Sequence, residues 1–138
     1  RSSWVTGVQT CALPILEALY EDVYSRLAGN NALTALLKGD GIYDFMPGKE
    51  VKGPYIVIGD THEVEGRTID AGERKVFVRL HIWSSYQGRR EIVRIERAAE
   101  AALSDGAYLF ESFQIVRDED GWMHGIVVLR TYIDKKED

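Results

Sequence analysis

The sequence predicts an α+β domain in which a mainly antiparallel sheet has helices packed on one of its faces. Three observations lead to this prediction. Helical periodicity occurs near the start of the chain and again after Arg89, segments of alternating polarity lie between and after these helices, and an Asp-Gly pair marks a late hairpin. In chain order the predicted elements are α-α-β-β-β-α-β-β.

The composition indicates one globular domain. The chain has 138 residues, of which 45% are hydrophobic and 28% are charged, so it can bury a core without disulfides or a metal. Its formal net charge of −5 gives no electrostatic reason for tight binding to a phosphate backbone. No apolar run reaches the roughly 18 residues needed to span a bilayer, so no membrane partner is expected.

The first fifteen residues are predicted not to belong to the native protein. Val5–Ile15 reads VTGVQTCALPI, which is the translation of a common short-read sequencing adapter. We therefore expect residues 1–15 to be a non-native segment, residues 16–134 to be one domain, and residues 135–138 to be a charged tail. The alternative is a genuine N-terminal arm. Cys11, the only cysteine, lies in this segment, so no disulfide framework is expected.

Two helices are predicted at the start of the domain. Apolar residues follow a helical spacing from Leu16 to Leu27, and Gly29 ends this first helix. Either Asn30 or Asn31 is expected to cap a second, short helix. The side chains predicted to face inward are Leu16, Leu19, Tyr20, Val23, Tyr24 and Leu27 in the first helix, and Leu33, Leu36 and Leu37 in the second.

Two strands and a long polar connection are predicted next. The first strand is the short segment Ile42–Phe45, and the second, Tyr55–Asp60, follows Pro54, a residue that suits the start of a strand. The segment Thr61–Glu73 is polar and is expected to form a long hairpin or a mobile loop, with its tip near Gly66–Gly72. A hairpin of this length could reach a neighbouring subunit.

Lys75–Ser84 is the clearest strand in the chain, because its side chains alternate between two distinct faces. One face is wholly apolar and is expected to lie in the core; it consists of Val76, Val78, Leu80 and Ile82. The other face mixes aromatic and basic groups, which indicates a surface that a partner covers. Its members, which are candidate interface residues, are Phe77, Arg79, His81 and Trp83.

The longest helix is predicted over Arg89–Leu103. Its buried stripe is expected to contain Ile92, Ile95, Ala99, Ala102 and Leu103. The rest of the helix carries charges of both signs, which most often indicates a solvated face. These charged residues are Arg90, Glu91, Arg94, Glu96, Arg97 and Glu100.

Two antiparallel strands, Ser112–Asp118 and Trp122–Ile133, complete the predicted sheet. The loop Glu119–Gly121 joins them, and its Asp-Gly pair is a strong hairpin signal. Both faces of the last strand are largely apolar, so one face is assigned to the helices and the other is a candidate for contact with another subunit. The candidate interface residues here are Ile126, Val128, Arg130 and Tyr132, to which the long polar hairpin adds Arg67 and Arg74.

The sequence offers no motif for catalysis or cofactor binding. It lacks both Gly-x-Ser-x-Gly and a glycine-rich phosphate loop. His62, with Asp60 and Glu63, is the nearest approach to a metal site, but a solvated hairpin is the simpler interpretation. His81 and His124 each stand alone in strand patterns, which favours a hydrogen-bonded or interface histidine. We therefore expect no enzymatic activity, no cofactor and no metal.

A set of ordered segments carries a family resemblance. In chain order these segments are Asn31–Leu37 (NALTALL), Ile42–Pro47 (IYDFMP), Gly53–Gly59 (GPYIVIG), Leu80–Ser84 (LHIWS) and, after a helix, Val127–Arg130 (VVLR). Together they resemble the phage tail-completion family, also called tail-to-head joining or tail-terminator proteins, of tailed phages, prophages and gene-transfer particles. No single segment is diagnostic, but the resemblance covers nearly all of residues 16–138.

The resemblance implies structural work at the junction of tail and head in the virion. Family members are thought to form a ring, often hexameric, that caps the tail tube, stops its polymerisation and meets the head connector. DNA passes through the lumen of the ring without sequence readout, and the family has no catalytic residues to carry over. The resemblance therefore implies a protein made in the bacterial host cytoplasm, whose partners are its own copies, the tail-tube protein and the head-connector protein.

Two other interpretations stay open at this point. One is a head-completion or neck protein of the virion, which is also a small ring subunit. The other is a small dimeric α+β ligand-binding module or enzyme, with a pocket between the helix of residues 89–103 and the sheet. Such a pocket should hold convergent polar groups, whereas the sequence places apolar residues there.

Overall fold

The predicted α+β class and the predicted element order are both confirmed. The computed structural model describes residues 13–38, 41–48, 50–65, 73–104 and 108–134. Its helices are α1 (Leu13–Ala28), α2 (Asn31–Leu36) and α3 (Arg90–Ala102). Its strands are β1 (Ile42–Tyr43), β2 (Tyr55–Glu65), β3 (Glu73–Ser84), β4 (Leu109–Arg117) and β5 (Met123–Asp134).

The described strands form one sheet in the order β1-β2-β3-β5-β4. All neighbours pair antiparallel except β1, which runs parallel to β2. The longest ladder joins β3 to β5 without a register shift, from the pair Glu73 and Asp134 to the pair Ser84 and Met123. This long central ladder fixes which side chains of the two strands share a face.

One face of the sheet packs against the helices and forms the core. The predicted inward face of β3 is confirmed, because Val76, Leu80 and Ile82 are fully buried and Val78 is 3% exposed. The β5 side chains that lie opposite this face in register are also buried; they are Val127, Leu129 and Thr131. Fully buried helix side chains fill the layer above the sheet, namely Val23, Leu27, Leu33, Ile92, Ile95 and Ala99.

Local sequence explains where the helices begin. Asn30 is the cap of α2, because its side-chain oxygen accepts a hydrogen bond of 2.9 Å from the Leu33 backbone N–H. This contact decides between the two caps that the sequence allowed. The helix α1 begins at Leu13, with Pro14 in its first turn, where a missing N–H removes no helical hydrogen bond. Leu13–Ile15, the last residues of the segment predicted to be non-native, thus have helical backbone.

The hairpin between β4 and β5 is confirmed, and Gly121 gives it its shape. The Gly121 N–H donates to the Asp118 carbonyl over 3.1 Å, and the Asp118 N–H donates to the Trp122 carbonyl over 2.7 Å. The φ angle of Gly121 is +92°, in a region that favours glycine because a Cβ would be strained there.

β2 and β4 extend further than their side-chain patterns predicted, whereas β1 is shorter and ends at Tyr43 rather than at Phe45. β2 continues to Glu65 rather than ending at Asp60, and β4 begins at Leu109 rather than at Ser112. Backbone hydrogen bonds to a well-ordered neighbour do not depend on side-chain polarity, so polar residues can lengthen a ladder. The long hairpin between β2 and β3 is confirmed up to the pair of Glu65 and Arg74.

Several predictions fall outside the described part of the chain. The tip of the long hairpin, with Arg67, is one of them. The others are residues 1–12 of the predicted non-native segment and the predicted charged tail, residues 135–138.

The prediction that all charged residues of α3 lie on a solvated face is wrong for Glu96. The Glu96 side chain is only 2% exposed, whereas the side chain of the neighbouring Arg97 is 65% exposed. The prediction was wrong because α3 packs against α2 as well as against the sheet, so the buried arc of the helix is wider than its apolar stripe. A guanidinium nitrogen of Arg97 donates to the Glu96 carboxylate at the edge of this arc.

Replacing Glu96 by glutamine should stabilise the protein at neutral pH. Burial raises the pKa of Glu96, repulsion from Glu100 adds to this, and Arg97 opposes it. The folded state therefore favours the protonated carboxyl, and this contribution is lost as the pH rises above the ordinary value of 4.5. We expect Glu96→Gln to raise the free energy of unfolding by on the order of 1 kcal/mol at pH 7 and to have little effect at pH 4.

Urea unfolding followed by circular dichroism at both pH values measures this difference. Glu119→Gln in the loop between β4 and β5 is the control, because it removes the same charge at an exposed position outside α3. An equal gain in the control, or a gain that is unchanged at pH 4, would contradict the assignment of the effect to burial of Glu96.

Candidate functional site

Most of the predicted interface residues lie on the sheet face opposite the helices, here called the open face. They are Phe77, Arg79, His81 and Trp83 of β3, and Ile126, Val128, Arg130 and Tyr132 of β5. The uninterrupted register of β3 and β5 sets them side by side, with Arg79 opposite Val128. Arg74 lies on the helix side instead, since strand alternation groups it with Val76, and Arg67 lies outside the described residues.

The open face is partly exposed rather than fully solvated. The Arg79 side chain is 54% exposed and Tyr132 is 36% exposed, while Phe77, Trp83 and Val128 are half-buried by their neighbours within the sheet. Half-buried apolar side chains on a face without a helix layer retain apolar area that a partner can still remove from water.

A row of aromatic rings crosses the open face at the end of the sheet where β3 finishes. Tyr43 of β1 contacts Tyr55 of β2 edge to face, with ring centroids 5.9 Å apart, and Tyr55 stacks on Trp83 of β3 at 6.4 Å. Trp83 in turn stacks on His124 of β5, with centroids 3.8 Å apart and ring planes within 8°. Trp122 adds a further ring, 5.9 Å from Tyr55. We call these five residues the aromatic row.

Trp83 carries an unsatisfied donor within this row. Its indole N–H is buried and finds no hydrogen-bond acceptor in the part of the chain that the structure describes. Buried indole N–H groups usually have an acceptor, because leaving one unpaired costs free energy. The row therefore offers both apolar area and one donor at its centre.

His81 and His124, each predicted to be a hydrogen-bonded or interface histidine, form a hydrogen-bonded pair with each other. His81 Nδ1 and His124 Nε2 are 2.9 Å apart, and the ring centroids are 5.1 Å apart. The two residues are diagonal neighbours across β3 and β5, so their contact depends on the strand register rather than on either strand alone. A Cβ at Gly59 would lie 2.7 Å from His81 Cδ2, so glycine there leaves room for this ring.

The environment of the pair favours neutral imidazoles. Burial lowers the pKa of His81; the neighbouring Asp60 carboxylate opposes this, and Arg79 adds to it. Burial also lowers the pKa of His124, to which a positive charge on His81 contributes, while Asp118 opposes it. In the hydrogen bond between the two rings, one nitrogen must donate a proton and the other must accept it. Two neutral imidazoles can form this bond.

Two cations of the open face, Arg79 and Arg130, lie beside carboxylates. Arg79 Nη1 lies 3.2 Å from Asp60 Oδ2, and Arg130 Nε lies 3.0 Å from Glu111 Oε2. Arg130 also lies over the Tyr132 ring, 5.7 Å from its centroid. Paired charges around an aromatic centre are typical of protein-binding surfaces, whose cores are apolar and whose rims are polar.

Of the predicted near-cluster of Asp60, His62 and Glu63, the structure describes the side chains of Asp60 and His62. His62 stacks on Phe77, with ring centroids 6.3 Å apart. Among the described residues, no group of three or more histidine, cysteine, aspartate or glutamate side chains is placed to hold a metal ion. A depression of about 470 Å³ lies here on the open face, lined in part by Thr61 and Val128, and could receive a side chain of a partner.

Three residues of the site were missed from the sequence, namely Tyr43, Tyr55 and Trp122. Alternation within β2 places Tyr55 on the open face, and this signal was available. The row itself requires the strand order β1-β2-β3-β5, which no local pattern gives. No helix in the described part of the chain is long and apolar enough to cross a bilayer.

Comparison with known proteins identifies one family. The profile of the family described as "Tail completion protein gp17" matches residues 21–134. The solved "Structure of bacteriophage SPP1 gp17 protein" is similar to this chain with a TM-score of 0.59 and 26% identity, covering 93% of this chain and 96% of that chain. A comparison with curated protein sequences found no match.

A second solved structure shows the same fold. It is a chain of the "Virion of native gene transfer agent (GTA) particle", with a TM-score of 0.60 and 22% identity. The match covers 81% of this chain and 91% of that chain.

Proposed function

Because this chain belongs to the tail completion protein gp17 family, we propose that it forms a ring at the end of a phage tail tube, where it terminates tube polymerisation and joins tail to head. Membership of the family makes the chain a structural protein of phage tail completion in the virion. The proposal adds ring formation, the hexameric count implied by the resemblance, and the tail-tube and head-connector proteins as partners.

The open face is the observation that best supports assembly. A ring needs a heterologous interface, in which one surface of a subunit meets a different surface of the next. The aromatic row and the half-buried side chains of β3 and β5 supply one such surface. Its aromatic centre, with the unpaired Trp83 N–H, has the composition of an interface hot spot.

The charge of the chain is compatible with a conduit for DNA. A lumen rich in lysine and arginine would hold the phosphate backbone by releasing counterions. A net charge of −5 gives no such overall attraction, so DNA could pass without being retained.

The layer between α3 and the sheet argues against the ligand-binding alternative. Ile92, Ile95 and Ala99 of α3 are fully buried there against β3 and β5, so apolar side chains occupy the place where a pocket was required. The head-completion alternative differs from the proposal in its partner, because it requires contact with head proteins and no effect on the tail tube.

The proposal is tested with the purified protein, alone and mixed with tail-tube protein, by light scattering after size exclusion and by negative-stain electron microscopy. We expect rings, and we expect shorter tubes when the protein is present during tube polymerisation. A chain that stays monomeric at high concentration, also in the presence of tail-tube protein, contradicts the proposal.

Val128→Glu tests whether the open face forms the interface between subunits in this assembly. A carboxylate at the centre of the surface should weaken ring formation by at least about tenfold, because a buried interface side chain is replaced by a charge without a partner. Ala101→Glu, at an exposed position of α3 away from the open face, is the matched control. Circular dichroism establishes that both variants fold. Equal assembly of the two variants would exclude the open face as the interface.

A further inference from the structure

A groove of about 970 Å³ lies between α1 and the segment that begins with β1, away from the centre of the open face. One wall is a single face of α1, since Glu17, Tyr20, Glu21 and Tyr24 follow the spacing of a helix stripe. The other wall is Ile42–Phe45, which contributes aromatic rings and a carboxylate. The size is within the range of sites that bind small ligands or side chains of a partner.

The walls of the groove expose apolar area that the fold does not cover. Val23 and Leu27 of α1 are fully buried, but Leu16, Tyr20 and Tyr24 of the same predicted stripe are only half-buried. Across the groove Phe45 is 63% exposed, and beside it Met46 is 57% exposed. Contiguous exposed apolar groups with a polar rim are characteristic of interaction sites.

The aromatic side chains of the groove are ordered in two pairs. Tyr20 and Tyr24 stack along α1 with ring centroids 6.2 Å apart. Tyr43 and Phe45 meet edge to face at 5.8 Å on the other wall. Faces of such rings attract cations as well as apolar groups, because their quadrupoles are negative above and below the ring.

The charges around these rings have one sign. Glu17 and Glu21 lie on the helix wall, Asp44 lies on the opposite wall, and no lysine or arginine lines the groove among the described residues. Glu17 and Asp44, one on each wall, favour a positively charged occupant over a phosphate or a membrane headgroup.

We propose that this acidic groove binds a basic segment of a partner protein, in which a large apolar side chain lies between lysine or arginine residues. The apolar side chain would pack on the tyrosine rings, and the flanking cations would meet the carboxylates. The inference rests on the proposed function only in taking the partner to be a neighbouring virion protein.

A second copy of this chain fits the groove less well. The chain has a net charge of −5, so copies repel each other overall. Its helix α3 carries arginines, but Glu91 and Glu100 lie among them, and these carboxylates would enter an already acidic groove. A partner segment with cations alone matches the charge better.

A fluorescein-labelled peptide of sequence Lys-Lys-Phe-Leu-Lys-Lys is the probe, titrated with the full chain and followed by fluorescence anisotropy. We expect saturable binding that weakens as salt is added. A second peptide, with glycine in place of both Phe and Leu, keeps the charge and lacks the apolar anchor. We expect it to bind at least tenfold more weakly, and equal affinity of the two peptides would overturn the proposal.

Asp44→Lys and Glu119→Lys form the matched pair of variants. Both replace an exposed carboxylate by an ammonium, so both change the net charge equally, but Glu119 lies in the hairpin loop outside the groove. Asp44→Lys should weaken binding of the first peptide at least tenfold, and Glu119→Lys should change it less than twofold. Equal losses would overturn the proposal, because they would show attraction to the whole protein.

Two further readouts identify the occupant and separate this inference from the proposed function. If the protein associates with itself and only Asp44→Lys abolishes that association, the occupant is a second copy and the proposal is overturned. If the protein forms rings but does not bind the peptide, only the proposal of a basic partner segment in the groove is contradicted. If it binds the peptide but does not form rings, only the proposed assembly is contradicted.

Discussion

Gly125→Val should lower the free energy of unfolding by about 2–3 kcal/mol, because it inserts a branched side chain into a closely packed core. Gly125 lies on the core face of β5, opposite Ile82 and beneath α3. A Cβ there would lie 2.9 Å from Ile92 Cδ1 and 3.0 Å from Phe113 Cε1. Ile92 is fully buried, so it can move away only by disturbing the packing of α3 on the sheet.

Urea unfolding, followed by tryptophan fluorescence, measures this loss. Gly125→Ala should give a smaller loss, because one methyl group requires less displacement and alanine lowers the entropy of the unfolded chain. Ile126→Val on the open face is the control for a change in the same strand, and it should cost less than about 1.5 kcal/mol. A Gly125→Val protein as stable as the control would mean that α3 does not pack on β5 as the structure describes.

The second large effect is a loss of stability in mild acid. The pKa values of His81 and His124 are both lowered by burial, so the folded state binds protons less readily than the unfolded chain. Stability is therefore fully present above the ordinary histidine pKa of 6.5 and falls as the pH drops below it. The slope is at most about 1.4 kcal/mol per pH unit for each proton taken up. Because the rings are hydrogen-bonded, they take up protons as a coupled pair.

Replacing both histidines by glutamine should remove this dependence. We expect the wild-type protein to lose on the order of 1 kcal/mol more than the double variant between pH 7.5 and pH 5.5, as measured by urea unfolding. The comparison uses the change with pH within each protein, since the double variant also alters the stack on Trp83. His62→Gln, at an exposed position on the same face, is the control. Parallel pH profiles of the wild type and the double variant would contradict the prediction.

Features of the fold that depend on nearby residues could be predicted from the sequence. Strand alternation was enough to give the core face of β3, and the Asp120-Gly121 pair was enough to give the last hairpin. The N-terminal cap of α2 could be narrowed to Asn30 or Asn31, because a capping residue bonds only to the first turn of its helix. In each case the residues that decide the outcome lie within a few positions of each other.

Features that depend on packing between distant segments could not be predicted. Glu96 is buried on a helix that packs against both α2 and the sheet, and the charge pattern of α3 alone carries no information about that packing. The pairing of His81 with His124 requires the register of two strands that are separated by a helix and a third strand. The β3 and β5 members of the candidate interface share one face of the sheet, as strand alternation predicted, whereas the aromatic row also needs Tyr43 of β1 and Tyr55 of β2.

The strand order also has a consequence for the time at which the core can close during synthesis. β3 lies in the middle of the sheet, but its neighbour β5 is the last strand of the described chain to leave the ribosome. The apolar face of β3 therefore stays exposed to solvent while α3 and β4 are synthesised. A nascent chain in this state has an unpaired strand edge and depends on rapid completion, or on chaperones, to avoid aggregation. Premature termination before β5 would remove the centre of the sheet rather than its margin.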